Sequence, residues 1–280
     1  MIDKNGNMDY YDAHSEFANG YDYQKGGHGE MQKKELIEKQ QTTRGQKIWS
    51  RLLGLRNDAP VSFERAKLVT ASYKETEGLP MPIRRAKAFE KIVTEIPIYI
   101  DDEQLLMGDF GASPMAFEWH PDLDIEPVKE AIQSGESVFN IREEDIPLMK
   151  EIYDYWKYWN IKESFVRTLG EEERERQKEI GREDAYIHGG ITIHGCRGWF
   201  IPNYAKAIRK GLLGILDEVE EELRATPQMD RASQDKVHFL KALRVVLKAG
   251  IQYGKRYSAL ASELAKSAKG KRKKELERIA

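Results

Sequence analysis

Apolar residues recur at intervals of three and four along most of this chain, the spacing of one face of an α-helix. Leu36, Ile37, Ile48, Leu52, Leu53 and Leu55 form the first such face, interrupted at 42–45. Ser62 stands at the N-cap position of a second helix, carried by Phe63, Ala66, Val69, Ala71 and Tyr73 and stopped by Gly78 and Pro80. A third helix covers 82–95, with Pro82 in the first turn, where its missing N–H is not needed. A fourth covers 142–158, where Ile146, Met149, Ile152, Tyr153 and Trp156 share a face. A fifth starts at Pro202 and runs through Tyr204, Ile208, Leu212, Ile215, Val219 and Leu223. The longest pattern spans 234–265, through Leu240, Leu243, Leu247, Ile251, Gly254, Tyr257, Ala261 and Leu264. Leu276 and Ile279 begin one more helical face, and the printed chain stops where that face would continue.

Two short apolar runs break the helical rhythm. IPIYI at 96–100 and LLMGDF at 105–110 read as strands, because the turn residues that flank them suit short extended segments. A Pro-containing loop follows at 111–127, long enough to suggest a functional role. The first 29 residues are polar, with scattered Tyr and a turn-prone GGHG, and predict a poorly ordered arm ahead of a single unit at 30–280.

Composition narrows the function classes. A third of the residues are charged, yet the net charge is only −2, too balanced for a nucleic-acid binder that must neutralise phosphates. The basic run Lys266–Lys274 is followed by Glu275 and Glu277 and fits a solvated helix face. One cysteine precludes an internal disulfide framework and fits a reducing compartment. The start of the chain has no basic, apolar leader, and no apolar run reaches the ~18–20 residues of a membrane span. A cytoplasmic protein is the expectation, with no nucleic-acid or membrane partner.

The densest chemistry lies in YIHGGITIHGCRGWFIPNY at 186–204. His188, His194 and Cys196 have even spacing and share a face if the segment is extended. Zinc would need further ligands, and none stands nearby. A Cys196 nucleophile with His194 as base is conceivable, but lone cysteines are commonly small buried hydrophobes. The glycines do not spell a dinucleotide motif; they suit tight turns or the lining of a ligand pocket. Glu118, Trp119 and His120 form a second polar and aromatic cluster, with Trp119 as a packing anchor. Asp101 and Asp102 are adjacent and read as turn residues rather than an acid–base pair. The tyrosines and tryptophans of 153–159 read as packing surface. On residues alone this is a mostly helical protein with one suspicious glycine-rich stretch.

Three separated segments, in order, resemble the N-terminal part of the glycyl radical enzymes, the pyruvate formate-lyase-like superfamily. They are 64–109 (ERAKLVTASYKETEG, IRRAKA, DDEQLLMGD), 198–215 (GWFIPNYAKAIRKGLLGI) and the ending KGKRKKELERIA. The resemblance covers about 60–280. It implies a mainly helical portion, with a few short strands, of a ten-stranded α/β barrel. It also implies an anaerobic radical lyase acting on a small organic acid. In such enzymes a glycyl radical is passed to a barrel cysteine. A partner activase with an iron–sulfur cluster and S-adenosylmethionine installs that radical. Both catalytic loops lie beyond residue 280, so the resemblance assigns this chain no catalytic residue, no directly bound cofactor and no activity alone. It makes the missing C-terminal region a partner and leaves a homodimer open. By the same resemblance, His188, His194, Arg197 and Trp199 line the substrate cavity. Trp199 stands where many members have His, which points toward aryl-acid branches, the arylacetate decarboxylases or arylalkylsuccinate synthases. The rival reading is a helical scaffold without chemistry.

Overall fold

The computed structural model describes residues 44–55, 61–109, 141–180 and 202–280 without 228, and within 110–132 residues 111–114, 116–123, 125, 128–129 and 132. The N-terminal arm at 1–29 lies outside them. The chain divides into two compact units, residues 1–51 and 52–280. Helix α1, Arg44–Leu55, is what is described of the first unit and runs into the second; Ile48 and Trp49 on it are exposed.

The second unit is a stack of helices with one minimal sheet. Its elements are β1 (Val61–Ser62), α2 (Glu64–Glu75), α3 (Met81–Glu95), β2 (Phe117–Glu118), a 3₁₀ turn (Glu143–Asp145), α4 (Ile146–Trp156), α5 (Ile161–Val166), α6 (Glu171–Ile180), α7 (Tyr204–Ala225), α8 (Arg231–Ser267) and α9 (Gly270–Ile279). The mainly helical class with a few short strands is as expected. Strands β1 and β2 pair in parallel, Val61 opposite Phe117 and Ser62 opposite Glu118.

The first core lies among β1, α2, α3, α4 and the loop around β2. Phe63, Val69, Trp119, Met149, Ile152 and Trp156 are its buried centre. Trp119 meets Phe63 edge to face at 5.9 Å, and Tyr73 meets Trp156 at 4.9 Å, geometries that favour aromatic pairs beyond their burial. The Trp156 indole donates to Thr70 Oγ1 at 2.8 Å, and that hydroxyl donates to the Ala66 carbonyl. The buried indole N–H is therefore satisfied. The 153–159 stripe divides: Trp156 is core, whereas Tyr158 and Trp159 are exposed.

The second packing centre is α8. This 37-residue helix opens with a capping box, Asp230 accepting from Ser233 N–H and Ser233 Oγ accepting from Asp230 N–H. It packs along α3, α7 and α9. Helix α7 runs antiparallel to it: Leu212 approaches Gly250, Glu220 faces Arg244 and Lys248, and Glu222 faces Lys236. At the far end Ala261, Ala265 and Leu276 join α8 to α9. The basic run crosses from α8 into α9, with Lys266 paired to Glu263 on the first and Lys271 to Glu275 and Lys273 to Glu277 on the second.

Two expectations are corrected. Residues 96–100 and 105–109 are not strands but irregular backbone with turns. Their surroundings supply side chains instead of a strand partner. Arg256 of α8 donates to the carbonyls of Val93 (2.5 Å) and Ile96 (2.7 Å). Arg272 of α9 donates to those of Asp101 and Gln104 (2.9 Å to the latter). Apolar content alone does not form a strand when no neighbour offers a ladder. Asp101 and Asp102 sit at the turn as anticipated, Asp102 N–H donating to Asp101 Oδ1. Ser62, in turn, lies in β1 rather than capping α2, where Phe63 holds the N-cap position. Its hydroxyl still accepts from Glu64 N–H at 3.3 Å.

The Arg256 clamp is testable. Arg256→Met keeps the aliphatic stem but removes two charge-assisted hydrogen bonds, and should cost about 1.5–3 kcal/mol. Arg256→Lys, able to serve one carbonyl well, should cost less. Urea midpoints of the two variants check the order; equal midpoints for both and wild type would remove the clamp from the account.

Candidate functional site

Among the described residues, the richest buried polar cluster gathers where β2 crosses α2. Glu118 is 7% exposed and ties two segments together. Its Oε2 accepts from the Arg65 backbone N–H at 3.3 Å, and its Oε1 accepts from Ala112 N–H at 2.7 Å. The Arg65 side chain reaches Asp122 at 3.0 Å, both partners being about one-sixth exposed. Asp122 also lends its carbonyl to Ile161 N–H, which starts α5. Asn160 caps that helix: fully buried, it accepts from Glu163 N–H and donates to the Trp156 carbonyl.

His120 lies inside this cluster. Burial, reinforced by the Arg65 guanidinium, lowers its pKa to about 4, with Asp122 opposing. The imidazole is therefore neutral at pH 7. Trp119 beside it is fully buried, as a packing anchor should be. The long loop is thus stitched into the core rather than draped over it. Glu118 and Asp122 both have partners already, so the cluster works as a structural knot.

A second polar group joins 96–109 to α8. The Tyr99 hydroxyl donates to Asp109, and Tyr253 donates to the Asp109 carbonyl at 3.0 Å, with the Tyr257 hydroxyl 3.4 Å from that of Tyr253. Burial, then hydrogen bonding, raises the pKa of both Tyr99 and Tyr257. Both stay protonated as hydrogen-bond donors.

The four residues expected to line a substrate cavity, His188, His194, Arg197 and Trp199, lie outside the described residues, as does Cys196. What is described is the exit from that stretch. Asn203 caps α7, its Oδ1 accepting from Lys206 N–H at 2.9 Å. The pattern that promised one helix from Pro202 gives helix Tyr204–Ala225, kinked once. Gly211, at φ 64° and ψ 176°, leaves helical geometry in a region glycine enters freely. Among the described residues, no three His, Cys, Asp or Glu side chains gather as a metal site.

Sequence reasoning missed Arg65, Arg256 and Arg272. Each acts on a partner between 57 and 171 positions away. No local pattern separates them from surface arginines.

Comparison with known proteins places this geometry. Residues 37–280 match the family described as pyruvate formate lyase-like. The isethionate sulfite-lyase of Oleidesulfovibrio alaskensis is 31% identical over 229 residues, 79% of this chain and 28% of that protein. The (2S)-3-sulfopropanediol dehydratase of Klebsiella oxytoca is 28% identical over 229 residues, again 79% of this chain and 27% of that protein. Among solved structures, a glycyl radical enzyme from Archaeoglobus fulgidus superposes with a TM-score of 0.67 at 32% identity, covering 79% of this chain and 28% of that one. This chain therefore spans less than a third of the length of the proteins it matches.

His120 gives the cluster a pH signature. Its folded pKa is depressed below the ordinary histidine value, so the unfolded chain takes up its proton first as pH falls. The stability it contributes is complete above about pH 6.5 and is lost as pH falls toward 4. In His120→Asn, the difference in urea midpoint between pH 7 and pH 4.5 should shrink relative to wild type. An unchanged difference would mean that His120 is not held neutral.

Proposed function

The chain belongs to the pyruvate formate lyase-like family, and from that membership we propose that it is the N-terminal portion of a glycyl radical lyase or dehydratase acting on a small organic anion. The match over 37–280 carries the reading, because it takes in all of the helices described above. Relatives named as a sulfite-lyase and a dehydratase share a radical enzyme family and differ in the bond that breaks.

In this reading the reacting glycine and cysteine belong to polypeptide outside these 280 residues. An activase carrying an iron–sulfur cluster and S-adenosylmethionine supplies the radical. This chain contributes part of the substrate cavity. Arg197 holds the anionic end of the substrate, since a guanidinium matches a carboxylate or sulfonate with two parallel hydrogen bonds. His188 and His194 hydrogen-bond the substrate's other polar groups. Trp199 forms an apolar wall that keeps water from the reacting carbon. Asn203 and the first turn of α7 fix the end of that stretch. The 31% identity to a sulfite-lyase whose substrate, by its name, is a small sulfonated alcohol supports a compact anionic substrate. Trp199 in place of a common histidine supports a second reading, an aryl acid stacked on the indole.

The test uses the longer enzyme with its activase under anaerobic conditions. Isethionate, 3-sulfopropane-1,2-diol, an arylacetate and glycerol are the substrates offered. One of the anions should turn over, and Arg197→Ala should raise KM for it about 10–100-fold, the loss of about 1.5–3 kcal/mol of charge-assisted bonding. Preference for uncharged glycerol would end the anion assignment. Turnover by the 280 residues alone would end the reading altogether.

A further inference from the structure

The apolar seam of α7 is half spent. Tyr204 and Ile208 before Gly211, and Leu212, Ile215 and Val219 after it, recur at helical spacing in the sequence, but the helix is kinked between the two sets. Beyond the kink the helix packs on α8: Val219 is 6% exposed, and Leu212, itself 41% exposed, reaches Gly250. The N-terminal half closes on nothing among the described residues. Tyr204 is 65% exposed and Ile208 82%, and Leu213, just past the break, is 66% exposed. Gly211 turns the first two turns of α7 out of line with the rest. The displaced piece is nevertheless held. Lys206 (2.5 Å) and Lys210, both before the break, pair with Glu218 beyond it. These exposed pairs lower the carboxyl pKa of Glu218. An apolar edge of this kind, fixed in place rather than collapsed onto its own helix partner, marks a contact surface.

We propose that the edge Tyr204–Ile208–Leu213 is the docking surface for the remaining polypeptide of the same enzyme, the part that follows these 280 residues in the longer protein. This rests on the reading under Proposed function. The occupant is argued from size. The A. fulgidus structure matches 79% of this chain but only 28% of its own length, so most of that fold has no counterpart here. The surface also sits directly after the stretch proposed to line the substrate cavity. Covering it would bring that stretch against the polypeptide that carries the reacting groups.

Single-site thiol labelling tests the surface. The chain has one cysteine, so Ile208→Cys is made in a Cys196→Ser background, with circular dichroism checking that the helices persist. The probes are a maleimide dye and the polypeptide encoded directly downstream, co-expressed as a separate chain. Fast labelling of the chain alone and at least tenfold slower labelling in the complex is the expected result. Slow labelling of the chain alone overturns the proposal; sedimentation then tells whether a second copy or the chain's own 181–201 segment is the cover. Equally fast labelling in a complex that does form overturns the docking surface while leaving the enzyme reading intact. A gene with no downstream polypeptide of this family removes the enzyme reading, and the surface proposal with it. As a second variant, Ile208→Glu should weaken co-purification at least tenfold, and unchanged co-purification would count against the surface.

Discussion

Two guanidinium groups hold the backbone that follows α3. Arg256 and Arg272, on successive helices, take carbonyls from both ends of the segment 93–104. These carbonyls end a helix and line a turn, so neither a strand nor a longer helix is available to satisfy them. A cation at a helix C-terminus also suits the helix dipole. Through this contact the long helix α8 fixes the irregular segment 96–109, and α3 with it. The Tyr99–Asp109–Tyr253 bonds fasten the same segment at its other end. Remove these polar clamps and two helical layers lose the piece of chain that joins them.

The same logic recurs at the first core. Glu118, Arg65 and Asp122 bind the β2 loop to the start of α2 while Trp119 fills the space beneath. Buried aromatic mass supplies most of the stabilisation, and the polar groups choose which loop conformation delivers it. His120 remains neutral there because a charge would have to give up its water beside an existing cation. The knot is therefore part of the scaffold. The expected substrate-contacting residues belong to the stretch that enters α7.

Family membership changes the meaning of what is exposed. This chain spans less than a third of the relatives it matches, and the apolar edge around Ile208, 82% exposed, is the proposed docking surface. Rigid elements position binding groups better than loops do.

Helices were legible from residue spacing alone. The patterns at 82–95, 142–158 and 234–265 each carry enough apolar positions to specify a face, and the structure has helices there at Met81–Glu95, Ile146–Trp156 and Arg231–Ser267, with Pro82 in a first turn as read. The family was legible too, because its short segments recur in a fixed order. The sequence could not decide the fate of IPIYI and LLMGDF. Their apolar content suits a strand, but a strand requires a neighbour, and which neighbour arrives depends on Arg256 and Arg272, about 160 positions away. Nor could spacing show that the α7 seam would divide at Gly211, half buried and half offered. Periodicity records which face is apolar; only the packed chain determines what covers it, because burial is a property of pairs of surfaces and not of one.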